Sequence, residues 1–231
     1  MEANIVRVRP VPIRCGKEIC GDDRHPPRAR EVYARHESDK SHDAETAPPS
    51  VEQIRTLLLD HAVGEFDYAL VQTVPKSRSP IYDNATEAAH AILSGYKKVR
   101  EAAGREGPFR IRVSDSQTLF AAQGVLAAET VRLINAGTKI GDIRQRISDL
   151  TPKTTGYAVV PDLYYVHKRA RKKGDKSVGF VGALMGSALD IKPILCARRG
   201  QTFPVAQVRG VESGVERMFA HASPWGEDGV R

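Results

Sequence analysis

A nearly unbroken apolar run from Tyr68 to Val74 stops at Pro75, gives way to the polar stretch Lys76-Ser77-Arg78-Ser79, and is followed by helix-forming sequence from about Asn84. Seven residues suit a buried strand and are too few for a core helix. A strand, a short polar loop and a helix in succession restrict the chain to architectures in which helices cover a sheet. In an open α/β sheet, ligands bind at the loop leaving the carboxyl end of a strand. The next helix presents unpaired N–H groups and the positive end of its dipole there. Lys76, Ser77 and Ser79 occupy that loop, which is therefore the candidate site for an anionic head group, a carboxylate by preference.

The flanking sequence repeats the pattern. Ser50, with Gln53 three residues later, forms a capping-box signature, and Val51, Ile54, Leu57 and Leu58 define one apolar face of a helix ending near Gly64. After the crossing, a helix is expected to about Ala103, a strand over Phe109 to Val113, a helix from Thr118 to Ala136, and another from Ile140 to Leu150. Short connections between alternating helices and strands indicate a parallel, doubly wound sheet. Upstream, the region 4–13 reads as an edge strand with a hairpin return at Glu18–Cys20. Residues 27–37 suit a short helix, and 37–46 read as a loop.

From Thr151 the texture changes to a strand at 155–161, a helix from Asp162, a basic run, an apolar helix at 178–189, two strands joined near Gly200, and a last helix at 211–222. The expected fold is a two-domain α/β protein. A doubly wound parallel sheet over residues 1–150 precedes a second, mixed α/β domain over 151–231.

Composition narrows the function. With 231 residues, 41% hydrophobic and 27% charged, and with no apolar stretch of about 18 residues, the chain reads as a water-soluble globular protein. Its first residues lack the charged-then-apolar pattern of a secretory leader, which makes the cytoplasm the expected location. Cys15 and Cys20 have no second pair at finger spacing, and the seven histidines are scattered, so neither a metal nor a cofactor is expected. A net charge of +7 raises the question of nucleic acid. Residues 167–176 hold six Lys or Arg, but no recognised nucleic-acid-binding pattern accompanies them. Nucleic acid is a disfavoured partner.

Five segments, in order, resemble the DegV family of fatty-acid-binding proteins: Thr46-Ala47-Pro48-Pro49-Ser50, Ser79-Pro80-Ile81-Tyr82, Asp115-Ser116 with Gly124, Leu163-Tyr164-Tyr165-Val166 with Arg171, and Ile191-Lys192-Pro193-Ile194-Leu195. The resemblance implies that a long-chain fatty acid is held in an apolar tunnel formed by the second domain, its carboxylate gripped by Thr46 and Ser79. Ser77 and Arg171 are further candidate ligand-binding residues. It also implies a non-catalytic carrier that presents the fatty acid to a separate kinase subunit. Pro80 stands where the family usually has Gly, removing one backbone donor, and Arg169-Ala170 replace two glycines. The family's opening strand and terminal βα portion are not recognisable, which fits either a compact branch or a sheet completed by a second copy in a homodimer. Two other readings remain: a binder of anionic partners or nucleic acid using residues 167–176, and a serine hydrolase using Ser79 or Ser116. No nucleophile-elbow pattern surrounds either serine.

Overall fold

The computed structural model describes residues 44–164 and 190–226 continuously, together with residues 7, 9, 11–15, 18–20, 27, 30, 31, 34 and 167. The chain divides into two compact units, Met1–Asp115 and Ser116–Arg231. That division precedes the change of texture at residue 151, and it assigns the two helices after Ser116 to the second unit.

In the first unit, β1 (Ile13–Cys15) and β2 (Glu18–Cys20) form a hairpin with its return arm where the sequence places it, but the strand begins only at Ile13, residues 7, 9, 11 and 12 lying outside any strand. β3 (Ala44–Thr46) pairs antiparallel with the other side of β1, which is therefore central and not the edge the prolines suggest. The sequence reading places a loop over 37–46. Three residues carry no usable period, and pairing with β1 decides their conformation. The described residues Pro27, Arg30, Glu31 and Ala34 are helical, as expected.

Helix α1 (Val51–Leu58) opens on a complete capping box. The Ser50 hydroxyl accepts from the Gln53 N–H at 3.2 Å, and the Gln53 side chain accepts from the Ser50 N–H at 2.9 Å. A π-turn at Leu59–Val63 carries the helix to Gly64. Strand β4 (Tyr68–Thr73) then lies parallel to β5 (Arg110–Asp115), with Thr73 opposite Asp115. Between them the sequence reads as one continuous helix, and the structure differs. The segment forms α2 (Ile81–Ala91), a 3-10 turn at Ile92–Ser94 and α3 (Tyr96–Ala102). The Ser94 hydroxyl donates to the Ala91 carbonyl at 3.0 Å, and Gly95 adopts φ −135°, so the helical ladder breaks there. Leu58, Val63, Ile92 and Phe109 form the buried core, with Ile54, Val71, Val99 and Ile111 packed around it. Each such side chain contributes about 1.5–3 kcal/mol by leaving water.

Beside that core, Arg100 is 2% exposed, and all five of its N–H donors are used. Nε donates to the Gly107 carbonyl (2.9 Å). Nη1 donates to those of Val63 (3.1 Å) and Phe66 (2.8 Å), and Nη2 to the Asp67 carboxylate (2.6 Å) and the Glu106 carbonyl (2.8 Å). The Arg100 hydrogen bond holds the Asp67 carboxyl below its ordinary range against the opposing effect of desolvation, and Arg105 assists. One side chain thereby ties the end of α1, the approach to β4 and the approach to β5.

In the second unit, α4 (Ala122–Asn135) starts four residues later than the sequence reading places it. Gln117 and Phe120 have φ of 52° and 61°, a conformation incompatible with a continuing helix. Helix α5 (Ile140–Leu150) matches its expected bounds. Glu129 on α4, 4% exposed, bonds Arg132 at 2.6 Å and Arg146 on α5 at 3.1 Å. Strands β6 (Gly156–Val159), β7 (Ile191–Arg198) and β8 (Gln201–Arg209) form an antiparallel sheet in the order β6-β7-β8, covered by α6 (Val211–Gly226). Gly214 lets α6 approach closely, since a Cβ there would lie 2.7 Å from Val159 Cγ1. Gly156 does the same for the Leu119 carbonyl. The fold is α/β, with one parallel ladder and otherwise antiparallel pairing among the described residues.

Candidate functional site

The crossing from β4 to α2 is a tight corner. Buried Pro75 follows Thr73 and Val74, and its carbonyl accepts from the N–H groups of both Arg78 (2.8 Å) and Ser79 (3.2 Å), which folds the loop back on itself. The turn exposes Lys76 and Ser77 and leaves Arg78 and Ser79 half-buried. Thr73 Oγ1 donates to the Ser114 carbonyl at 3.3 Å, joining the carboxyl ends of the two parallel strands directly below.

Ser79 Oγ accepts from the Ile81 N–H at a long 3.4 Å, and Pro80, not Ser79, occupies the cap position of α2. A hydroxyl has one donor and two acceptor sites. The Ser79 O–H therefore has no acceptor among the described residues. In the first turn of α2, the N–H groups of Tyr82 and Asp83 have no intrahelical acceptor, as at any helix start. With Lys76 and Arg78 alongside, the loop from Pro75 to Pro80 presents donors and positive charge and contains no acidic side chain.

Thr46 ends β3, opposite Ile13, and is exposed. Its hydroxyl makes no hydrogen bond among the described residues. The segment that follows it is fixed at three points. The Ala47 N–H donates to the Pro12 carbonyl at 2.8 Å, Asn84 Nδ2 donates to the Pro49 carbonyl at 2.8 Å, and Ser50 caps α1. The Asn84 bond connects the Thr46 segment to the helix that Ser79 precedes. No hydrogen bond joins Thr46 to Ser79 directly among the described residues. Arg171 and the basic positions 168–176 lie outside the described residues, as does the apolar helix expected over 178–189.

Asn84 is the residue that reading the sequence misses. Its signal is a short amide residue on the fourth position of a helix, where a longer, stronger helix former is the ordinary choice.

Ser116, in the second unit, is 4% exposed and does not cap α4. Its hydroxyl donates to the Thr118 carbonyl at 3.1 Å and accepts from Gln123 Nε2 at 3.4 Å. Neither Ser79 nor Ser116 is hydrogen-bonded to a histidine among the described residues. Those residues also contain no group of three His, Cys, Asp or Glu able to hold a metal ion, and no helix long and apolar enough to cross a membrane. The Ile191–Leu195 segment is the first half of the central strand β7. Ile194 is fully buried, and the Lys192 ammonium bonds Asp190 and the Pro161 carbonyl, each at 2.7 Å.

Together, the fold and this corner define a two-unit α/β protein with a donor-rich loop at the carboxyl end of a parallel strand. The DegV family profile matches residues 1–228, and the chain belongs to the DegV family. A DegV domain-containing protein of Xanthomonas campestris is 46% identical over 220 residues, covering 95% of this chain and 70% of the relative. Among solved structures, a stearic acid-binding protein from Eubacterium ventriosum superposes with a TM-score of 0.75 at 19% identity, over 95% of this chain and 70% of that one. A Thermus thermophilus DegV family protein, described as binding fatty acid, gives a TM-score of 0.71 at 20% identity, over 96% and 70%. These likenesses establish the fold.

Proposed function

We propose that this protein binds a long-chain fatty acid, with the carboxylate received at the β4–α2 corner by the hydroxyls of Ser79 and Thr46 and the tail in an apolar tunnel. The observation that carries this reading is Ser79 itself. It is half-buried at a helix start, in a loop that also carries Lys76 and Arg78, and its O–H has no acceptor among the described residues. Several structural relatives are described as fatty-acid-binding, which supports the choice of ligand.

The chemistry divides between the two ends of the ligand. A carboxylate leaving water needs donors, since an unpaired buried charge is far costlier than a neutral polar group, and charge-assisted hydrogen bonds are the strong kind. The tail needs apolar walls alone. At about 0.8 kcal/mol per methylene it contributes on the order of 10 kcal/mol before ordering costs are subtracted. The tail sets affinity, and the head group sets orientation.

In this reading the chain is a non-catalytic cytoplasmic carrier, with a fatty-acid kinase subunit as its partner, and Ser77 and Arg171 contribute near the head group. Native mass spectrometry of protein purified from cells tests the ligand. A bound mass equal to that of a long-chain fatty acid, lost on delipidation and restored by adding the acid, is the expected result. A bare chain that takes up no fatty acid after delipidation would overturn the proposal.

A further inference from the structure

We infer that Asn84 is a positioning residue for the head group: it holds the Thr46–Ser50 segment in register with the corner that carries Ser79. The inference rests on the binding reading above and adds a residue to it.

The geometry points to Asn84 because two stretches far apart in sequence must present hydroxyls to one carboxylate, and something must fix their separation. Asn84 sits in the first turns of α2, five residues after Ser79, and its backbone N–H is taken by the Pro80 carbonyl at 2.9 Å. Its backbone is thus part of the same corner as Ser79. From there Nδ2 reaches the Pro49 carbonyl at 2.8 Å, 35 residues away in sequence and three residues beyond Thr46.

Pro48 and Pro49 make the receiving segment stiff, because each ring fixes φ. A hydrogen bond at one carbonyl therefore sets the position of the whole stretch rather than of one peptide. At its upstream end the stretch is anchored by Ala47 on Pro12, and at its downstream end by the Ser50 capping box. Neither of these anchors refers to the Ser79 corner, whereas the Asn84 bond does.

The side-chain chemistry is specific. An amide donates through nitrogen, and a carboxylate of similar shape can only accept. Asp at this position would face the Pro49 carbonyl with a second acceptor, so Asn84→Asp removes the bond while preserving volume. Asn84→Ala removes the bond and the side chain.

The test measures binding of stearic acid and of methyl stearate to the delipidated full-length protein, with thermal stability recorded in parallel. The ester shares the tail and lacks the charge, so the ratio of the two affinities reports head-group recognition. The acid-over-ester preference is expected to fall about three- to tenfold in both Asn84→Ala and Asn84→Asp, with ester affinity unchanged. Asn84→Gln, which keeps the donor on a longer arm, is expected to recover part of the preference.

A purely structural role would lower melting temperature and weaken acid and ester equally. That outcome, or an unchanged preference in Asn84→Ala and Asn84→Asp, would overturn the inference. If the wild-type protein bound neither compound, the binding reading itself would fail. If wild type prefers the acid and the Thr46→Ala/Ser79→Ala protein does not, while both Asn84 variants behave as wild type, the Asn84 inference alone fails.

Discussion

Two polar clusters in the first unit behave in opposite ways. Around Arg100 every donor of a buried guanidinium has found an acceptor, and four backbone carbonyls and one carboxylate are accounted for. The hydroxyls of Thr46, at the end of β3, and of Ser79, at the β4–α2 corner, retain O–H groups with no acceptor among the described residues. A closed network fixes the chain and leaves nothing for a ligand. An open one gives up local stability and keeps its donors available. A charged residue is therefore no guide to a binding site by its charge, and the state of its hydrogen-bonding capacity is the better criterion.

The contrast breaks if the two clusters can be interchanged in their effects. Arg100→Met keeps the apolar stem and strips the donors from four carbonyls. A loss on the order of 3–4 kcal/mol of unfolding free energy is expected in denaturant titrations, at roughly 1 kcal/mol for each abandoned acceptor. Fatty-acid affinity under conditions where the variant remains folded should be that of wild type. The Thr46→Ala/Ser79→Ala protein should show the reverse, with affinity for stearic acid weakened by about 1–3 kcal/mol and a melting temperature close to wild type. A stability loss in the second variant comparable to the first would erase the distinction.

Glu129 extends the comparison to the second unit as another closed cluster. Arg132 first, and Arg146 after it, hold the buried carboxyl down to about 2 from an ordinary 4.5, with desolvation opposing. A depressed carboxyl contributes stability that is fully present above the unfolded value and disappears as pH falls through the folded one. Stability should therefore decline as pH falls from 4.5 to about 2, more steeply in wild type than in Glu129→Gln, as read by chemical denaturation at each pH. Parallel curves for the two proteins would show that the cluster carries no such load. The smallest effect belongs to the Ser50 cap, where Ser50→Ala should cost about 1 kcal/mol in the same titrations and leave head-group selectivity intact.

Legibility from sequence follows the same division. Elements with a strong local signal are readable: the Ser50/Gln53 capping box, the β4 run, the Ile140–Leu150 helix and the hairpin turning at Gly200 all lie where the residues indicate. Elements decided by distant partners are not. β3 exists because β1 pairs with it. The late start of α4 reflects a backbone at Gln117 and Phe120 held by Thr118 on the Ala197 carbonyl and by Gly200 on that of Gln117.

Within the candidate site, the loop is legible because strand, proline and helix follow one another in sequence. Thr46 comes from family resemblance, since a threonine before two prolines is ordinarily a turn residue. Asn84 is invisible, because its partner is 35 residues away and no local pattern announces a bond to a carbonyl.

The most direct measurement is a crystal structure of the protein with bound stearic acid. One carboxylate is expected there with Thr46 Oγ1 and Ser79 Oγ both within hydrogen-bonding distance, about 2.5–3.0 Å. A carboxylate bound elsewhere, or one touching a single hydroxyl with the other well out of reach, would contradict the shared grip of the two side chains.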